Sequence, residues 1–148
     1  MDFNINVVTI NVNGIKARLK ELTIFLSSLN RTSKNSIIIL TDTRLHALSK
    51  NIKIDGYTII RQDKPVSNQT RCRYSAGGIA FVIPSEWGIH ELDSLTSLSN
   101  EKTEAKLIIV FPPGCEPIKL AGCYNHPGNH FHIKHLGPDL IASLVNHY

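Results

Sequence analysis

Several features that place a chain outside the ordinary globular class are absent from this sequence. No apolar run approaches the ~20 residues that a membrane-spanning helix needs. The first residues, MDFN, lack the basic and apolar segments of a signal peptide, and no segment combines low hydrophobicity with high charge as disordered chains do. Residues 1–148 are therefore predicted to form one intracellular domain that makes no membrane contact.

Cysteine is also scarce. The three cysteines, Cys72, Cys115 and Cys123, are odd in number and lack CxxC spacing, which argues against a disulfide framework and a cysteine-based zinc site. A reducing compartment fits this usage. Charge discriminates less, because 16 basic and 12 acidic residues give a net charge of +4 and a pI of about 9.1. That balance suits a polyanionic partner without requiring one.

The sequence does contain two apolar segments that end in polar residues. Positions 7–14, VVTINVNG, predict a buried strand that brings Asn11 to its C-terminal end, followed by a glycine turn. Positions 36–41, SIIILT, predict a second strand, buried on both faces, that leads directly into Asp42. Apolar residues recur at helical spacing over 15–29, so this part reads strand, helix, strand. If the strands are parallel neighbours, Asn11 and Asp42 lie side by side at one edge of the sheet.

The later part of the chain reads mainly as strands. Four more are predicted, the last two as a hairpin around a proline-rich turn, at 57–61, 77–84, 105–111 and 118–124. The polar segment 41–55 is predicted to be a short helix or an irregular loop, and 85–103 to hold a short strand or a loop. A histidine-rich loop, 125–136, precedes a last helix that opens with Gly-Pro-Asp at 137–139.

Four short motifs follow one another at the ends of these segments. They are TINVNGI at 9–15, TDTRL at 41–45, AGGIA at 76–80 and CYNHP at 123–127. In this order and spacing they resemble the endonuclease/exonuclease/phosphatase superfamily, and most of all the apurinic-type endonuclease domain of non-LTR retrotransposons. The resemblance runs from about Val7 to Val145. It implies an α/β fold, the N-terminal part of a four-layer α/β sandwich of the DNase I-like type.

The resemblance also implies a reaction and residue roles. The family hydrolyses a phosphodiester in DNA with the aid of magnesium, and the nick primes reverse transcription. Asn11 would help to hold the metal-bound acid and the phosphate, Asp42 would take the place of the metal-binding glutamate, and Tyr124 would approach the scissile phosphate. Magnesium prefers oxygen ligands and often uses one or two carboxylates with substrate phosphate. The implied partners are DNA and, in a longer polyprotein, a reverse transcriptase domain; a nuclear location is compatible with both.

The chain departs from the family pattern at two points. Asp42 is one methylene shorter than the family's glutamate. The later Gly-Asp-Phe-Asn and Ser-Asp-His motifs, which orient the leaving oxygen and activate water, are absent up to Tyr148. The resemblance therefore predicts an incomplete domain, truncated at its C-terminus and inactive alone. It also predicts bare inner faces on 37–40, 79–83 and 107–110, where ~500 Å² of exposed apolar surface would cost ~12 kcal/mol at ~25 cal/mol per Å².

Each site residue also has a purely structural interpretation. Asn11 could be a strand-end asparagine that bonds its local backbone, since short polar side chains readily do so. Asp42 could be the N-cap of a helix over the following residues. Tyr124 could be a half-buried strand tyrosine with its hydroxyl at the edge.

Two further groups of side chains leave both readings open. Lys64, Arg71 and Arg73 lie in the polar loop 62–75, where they are either contacts to DNA phosphates or solvated side chains. The C-terminal histidines could hold zinc, although a solvated loop is the simpler reading: His126, His130, His132, His135 and His147. The alternative to an endonuclease fragment is a non-catalytic remnant that binds DNA or a protein through its basic loop.

Overall fold

The computed structural model describes residues 4–32, 35–46, 48–63, 76–92 and 103–125. Within them the chain is mixed α/β, with one helix and seven strands in two sheets. In chain order the elements are β1 (Asn6–Asn11), α1 (Ile15–Thr32), β2 (Ser36–Thr41), β3 (Tyr57–Gln62), β4 (Ile79–Pro84), β5 (Gly88–Glu91), β6 (Thr103–Phe111) and β7 (Ile118–Asn125). No helix in this part of the chain has both the length and the apolarity that crossing a membrane requires.

The first sheet has the strand order β1-β2-β4-β3. β1 and β2 are parallel neighbours, with Asn11 opposite Thr41, so the predicted strand–helix–strand unit is confirmed. β4 runs antiparallel to β2 and β3, and Thr41 and Gln62 both lie opposite Ile79. The C-terminal ends of β1, β2 and β3 therefore meet the start of β4 at one end of the sheet.

The prediction that β1 is buried is wrong. β2 and β4 are buried along their whole length, whereas every residue of β1 is half-buried or exposed, and Val7 is 50% exposed. β1 is the outer strand of its sheet among the described residues. Val8 and Ile10 pack against the cluster under α1, but the second sheet packs over β2 and β4. An apolar segment does not reveal which layers cover it, and this is why the expectation failed.

The second sheet is antiparallel, with the strand order β5-β6-β7. The predicted hairpin is confirmed as β6 and β7, paired in register from Thr103 and Asn125 to Val110 and Ile118. β5 is a short strand within the segment 85–103. An ion pair of 2.8 Å between Lys106 Nζ and Glu91 Oε1 joins β6 to β5.

Two apolar clusters hold these layers together. The first lies between α1 and the first sheet, and its members include Ile15, Leu22, Leu26, Ile38, Leu40 and Val82. The second lies between the two sheets, and its members include Ile37, Ile39, Phe81, Ile108, Val110 and Leu120. The side chains of β2 alternate between the two clusters. Because both faces of β2 are covered by another layer, its central residues 37–40 are apolar throughout instead of alternating between apolar and polar residues.

The two sheets approach each other closely at Gly122 of β7. A Cβ atom added at Gly122 would lie 2.8 Å from Ile79 Cγ2 and 2.9 Å from Phe81 Cζ. Glycine is therefore required at this position for the second sheet to reach the first.

The prediction of bare inner faces is wrong for the strands named. Residues 37–40 and 79–83 are buried throughout, and so are Leu107, Ile108 and Val110 of β6. α1 covers one face of the first sheet and the second sheet covers the other. The expected penalty for exposed apolar surface therefore does not arise on these strands.

The segment after β2 is irregular, which is one of the two forms predicted for 41–55. No helix follows Asp42 within the described residues 42–46 and 48–56, so Asp42 is not a helix N-cap. Residues 64–75, 93–102 and the proposed last helix near 137 lie outside the described residues.

Candidate functional site

Polar side chains from both sheets converge where β2 ends and β4 begins. Asp42 follows β2 directly, and Gly77 and Gly78 lead into β4. From the second sheet, Glu104 and Tyr124 lie opposite each other on the β6–β7 hairpin. A hydrogen bond between the Gly78 amide and the Glu104 carboxylate ties the two sheets together at this end. We call Asp42, Gly77, Gly78, Glu104 and Tyr124 the glycine-turn cluster.

Asp42 is held from three sides. The residue is 5% exposed, and its Oδ1 accepts a hydrogen bond of 2.8 Å from the Gly77 amide. Arg44 donates to both oxygens, from Nε to Oδ1 at 3.4 Å and from Nη2 to Oδ2 at 3.3 Å. The Asp42 carbonyl accepts from the Gly14 amide at 2.9 Å. A buried carboxylate needs such partners, because an unpaired charge in the interior is costly.

Glu104 is a second buried carboxylate, 1% exposed, that sequence reasoning missed. Both of its oxygens accept from the Gly78 amide, at 3.1 and 3.0 Å. A signal for it was present in the sequence. Glu104 lies on the face of β6 that carries Ile108 and Val110, so it is an acid placed among inward-facing apolar positions of a hairpin strand.

The glycines of the cluster cannot be replaced without strain. Gly77 has φ +123° and Gly78 has φ +93°, a region that other residues rarely adopt. A Cβ on Gly77 would lie 2.5 Å from Glu104 Oε2, and a Cβ on Gly78 would overlap Thr43 Oγ1. The AGGIA motif therefore marks a place where backbone must approach two side chains closely.

The loop after β2 is fixed to both of its neighbours by backbone hydrogen bonds. Ile15 N donates to Thr43 O at 3.0 Å, and Arg44 N donates to Gly77 O at 2.8 Å. Asn13, Asp42 and Arg44 have φ values of 47°, 57° and 55°, which are uncommon for residues other than glycine. Such conformations persist where the surroundings determine them, and they concentrate at functional sites.

Burial, and then the nearby carboxylates, raise the pKa values of Tyr124 and Cys123. Tyr124 is 9% exposed, and burial raises the pKa of its hydroxyl, as do the charges of Asp42 and Glu104, while Arg44 lowers it. Cys123 precedes Tyr124 in β7 and lies on the opposite, exposed face of the strand. Partial burial and then the charge of Glu104 raise the pKa of its thiol. Tyr124 therefore keeps its proton at neutral pH and can donate a hydrogen bond.

Asn11 reaches the same end of the sheet but does not enter the cluster. It lies opposite Thr41 and is exposed, and its Oδ1 accepts from the Asn13 amide at 3.1 Å. The structural interpretation of Asn11, a strand-end asparagine bonded to local backbone, is thus confirmed. Among the described residues its side chain makes no hydrogen bond to Asp42.

Arg61 supports the loop from the far side of the first sheet. Its Nη2 donates to the His46 carbonyl at 3.1 Å and to Asp63 Oδ2 at 2.5 Å, and its Nη1 donates to the Lys50 carbonyl at 3.4 Å. The side chains of Arg61 and Asp63 are both mostly buried. Arg61 is therefore used to hold the segment 46–50 against β3.

The oxygen atoms of the glycine-turn cluster are of the kind that binds magnesium, but the cluster offers few of them. Within the described residues no group of three or more His, Cys, Asp or Glu side chains could hold a metal ion. Asp42 and Glu104 provide two carboxylates, and Mg²⁺ is often bound by one or two carboxylates with water and substrate phosphate. Arg44 already lies on Asp42, so any cation would have to share that carboxylate with the guanidinium.

The remaining candidates cannot be placed. The described residues do not include Lys64, Arg71, Arg73 or the five C-terminal histidines. Both readings of these side chains, contacts to DNA or zinc and solvated loops, therefore stay untested. A scan against models of protein families finds no match to the chain, and a search of curated proteins finds none of significance. Function is therefore inferred from the geometry of the glycine-turn cluster and from the motifs that build it.

Proposed function

We propose that the chain carries the metal- and phosphate-binding part of a magnesium-dependent DNA endonuclease site, on a DNase I-like sandwich. The observation that carries the proposal is the meeting of Asp42, Glu104 and Tyr124 around Gly77 and Gly78. Three of the four motifs behind the resemblance, those around Asp42, Gly77 and Tyr124, contribute to this one cluster. DNA is the proposed substrate, and a reverse transcriptase domain is the partner that the resemblance implies.

Each residue has a role in this proposal. Asp42 and Glu104 would hold the magnesium ion, which supplies positive charge to offset the charge that develops on the phosphate and the leaving oxygen. Tyr124, protonated at neutral pH, would donate to a phosphate oxygen. Asn11 is exposed at the same end of the sheet, where its amide could reach a phosphate that lies over the cluster.

The cluster lacks a group suited to activating water. Both carboxylates accept hydrogen bonds from backbone amides, and Tyr124 holds its proton. We therefore expect the chain alone to bind DNA in a magnesium-dependent way and to nick supercoiled plasmid at or near background. Strong nicking that is lost in Asp42→Ala would place the water-activating group within this chain and overturn its expected inactivity.

The test of the proposal is DNA binding as a function of magnesium. A labelled duplex is titrated with protein in Mg²⁺ and in EDTA, for the wild type, Asp42→Asn and Asp55→Asn. The Asp42→Asn variant would keep an acceptor for the Gly77 amide but lose the charge, whereas Asp55 is exposed in the turn before β3. The magnesium-dependent gain in affinity should fall about tenfold in Asp42→Asn and stay intact in Asp55→Asn. An equal gain in all three proteins would contradict the proposal.

One observation favours the alternative, a non-catalytic module that binds DNA or a protein. Arg44 already provides a positive charge to Asp42, so the carboxylate is partnered without a metal. This reading predicts DNA binding that weakens steeply with salt and is indifferent to magnesium and to Asp42→Asn. The titration above separates the two functions, because only the endonuclease-type site links the DNA affinity to both magnesium and Asp42.

A further inference from the structure

Among the described residues, Arg44 is the basic side chain that contacts the buried Asp42, and this contact does not use all of its N–H groups. Its contacts to Asp42, at 3.3 and 3.4 Å, are longer than the ~2.7–2.9 Å of strong charge-assisted pairs. The side chain is 36% exposed. Within the described part of the chain its hydrogen bonds are made by Nε and Nη2, and none is made by Nη1. The guanidinium is thus oriented by Asp42, while the side chain as a whole is partly exposed to solvent.

The backbone holds Arg44 in this place. Arg44 has φ 55°, its amide donates to the Gly77 carbonyl, and its Cδ lies 3.6 Å from where a Cβ of Gly14 would be. The side chain therefore leaves a fixed point between the β1–α1 turn and the glycine turn. A pre-oriented guanidinium loses little freedom when an anion binds, which is what favours arginine at phosphate sites.

Charge indicates what this guanidinium could bind. With ionised carboxylates, Asp42, Glu104 and Arg44 sum to −1, which repels an anion. One divalent cation brings the sum to +1, and one phosphodiester, which carries a single negative charge, then brings it to zero. A terminal phosphate with two negative charges would leave the cluster negative again.

We propose that Arg44 is a phosphate-binding residue, whose solvent-facing guanidinium N–H groups hold an internal phosphodiester of DNA once a divalent cation occupies the glycine-turn cluster. The proposal rests on the function proposed above, because it takes that cation and that substrate as given. It adds a residue with a dual contact: Arg44 is anchored by Asp42 and donates outward to the phosphate. It also makes Arg44 a competitor of the metal for the Asp42 carboxylate.

This dual contact predicts opposite effects of one substitution. Arg44→Gly removes the guanidinium and suits the positive φ, so the backbone should be retained. The affinity for Mn²⁺ alone, measured by electron paramagnetic resonance, should stay the same or rise because a competing cation is gone. The affinity for a DNA duplex at saturating Mg²⁺ should fall about tenfold or more, as expected for a lost hydrogen bond to a charged group.

Two further variants keep the test sharp. Arg44→Lys retains the charge but loses the planar fork, so its DNA affinity should lie between those of the wild type and Arg44→Gly, with Mn²⁺ affinity unchanged. Lys53→Ala is the control, because Lys53 is exposed and far from the cluster. It precedes Ile54, which pairs with Tyr57 at the opposite end of the first sheet. Loss of this one positive charge should change the DNA affinity less than about twofold.

The outcomes separate this inference from the function on which it rests. A loss of DNA affinity in both Arg44 variants, with Mn²⁺ binding kept, supports the inference. DNA affinity that is unchanged in Arg44→Lys and Arg44→Gly, or lost no more than in Lys53→Ala, overturns it while magnesium-dependent binding through Asp42 still stands. If both Arg44 variants lose Mn²⁺ binding and DNA binding together, the inference is also overturned. That result would mean that Arg44 only supports the structure of the cluster. A wild type without magnesium-dependent DNA binding removes the proposed function itself.

Discussion

β1 and β2 are parallel neighbours and both are rich in apolar residues, yet β2 ends in a buried environment and β1 in an exposed one. β2 is buried on both faces and delivers Asp42 into a set of hydrogen bonds that spans three segments. β1 is exposed along most of its length and delivers Asn11 to a local bond with Asn13. The difference comes from the layers around each strand rather than from the strand's own residues. Under the proposed function, the binding role therefore belongs mainly to the end of β2.

The largest expected effect compares one register pair, Ile37 of β2 and Val7 of β1. Ile37 is fully buried between the sheets, whereas Val7 is 50% exposed. Ile37→Ala should lower the free energy of unfolding by about 4 kcal/mol, through lost burial and a cavity. Val7→Ala should cost about 0.5 kcal/mol. Urea denaturation of the two variants measures both, and similar costs would mean that β1 is as covered as β2.

The second effect compares two glycines with positive φ. Gly14 lies in the turn after β1, and Gly77 lies before β4, where its amide contacts Asp42 at the end of β2. Gly77→Ala puts a Cβ 2.5 Å from Glu104 Oε2 in addition to the backbone strain, so we expect a loss of about 3 kcal/mol. Gly14→Ala meets only Arg44 Cδ at an ordinary 3.6 Å and should cost about 1 kcal/mol. If thermal and urea unfolding give equal losses for the two variants, the close packing of Glu104 against Gly77 is wrong.

The third effect compares the two polar residues themselves. Asp42→Ala leaves the Gly77 amide and the Arg44 guanidinium without their acceptor, and it should cost about 2 kcal/mol at neutral pH. Asn11→Ala removes an exposed local bond and should cost less than about 0.5 kcal/mol. The rate of hydrogen exchange at the Gly77 amide is an independent measure. Asp42→Ala should raise this rate because it removes the acceptor, and Asn11→Ala should leave it unchanged.

The smallest effect is a shift in one titration. Burial, Asp42 and Glu104 raise the pKa of Tyr124, so the folded state holds the phenolic proton more tightly than the unfolded chain does. The resulting stability is present below the ordinary tyrosine value of about 10, and it is lost as the pH rises through the higher folded pKa. Tyr124→Phe should remove this alkaline loss of stability.

The titration itself is read from tyrosinate absorbance, as the difference between the wild type and Tyr124→Phe. Asp42→Asn should lower the Tyr124 midpoint because one of the charges that raises it is gone, while Asn11→Ala should leave it in place. A Tyr124 midpoint at or below about 10 in the wild type would contradict the buried, acid-flanked position of the hydroxyl.

The sequence predicted those parts of the fold that depend on local pattern. The strand–helix–strand unit, the bounds of β2 and the β6–β7 hairpin follow from apolar spacing and turn residues, and all three are confirmed. Burial of β1 and the bare inner faces were predicted wrongly, because both depend on which layers stack in space. No periodicity within β1 records that the second sheet lies over β2 and β4.

The candidate site was predictable only in part for the same reason. Asp42 could be named because it directly follows an apolar segment, and Tyr124 because it lies in one of the motifs that carry the family resemblance. Glu104 left only a weak signal, a single acid at an inward-facing position of a hairpin strand, and this signal does not say what the acid contacts. Arg44 left none, because it is one of many basic residues in the sequence. Their positions follow from the hairpin's register and from the unusual backbone of the loop, neither of which is legible before the chain is folded.

The central claim is that the end of β2 is a cation site, and paramagnetic broadening tests it at the atoms concerned. Mn²⁺ is added to isotope-labelled protein while the amide signals of Gly77, Gly78 and Gly114 are followed. Gly114 lies in the β6–β7 turn, at the opposite end of the second sheet, and serves as the internal reference. We predict selective broadening of Gly77 and Gly78 well below one equivalent of Mn²⁺, abolished in Asp42→Asn. Signals from Gly77 and Gly78 that stay as sharp as Gly114 at one equivalent would contradict the claim.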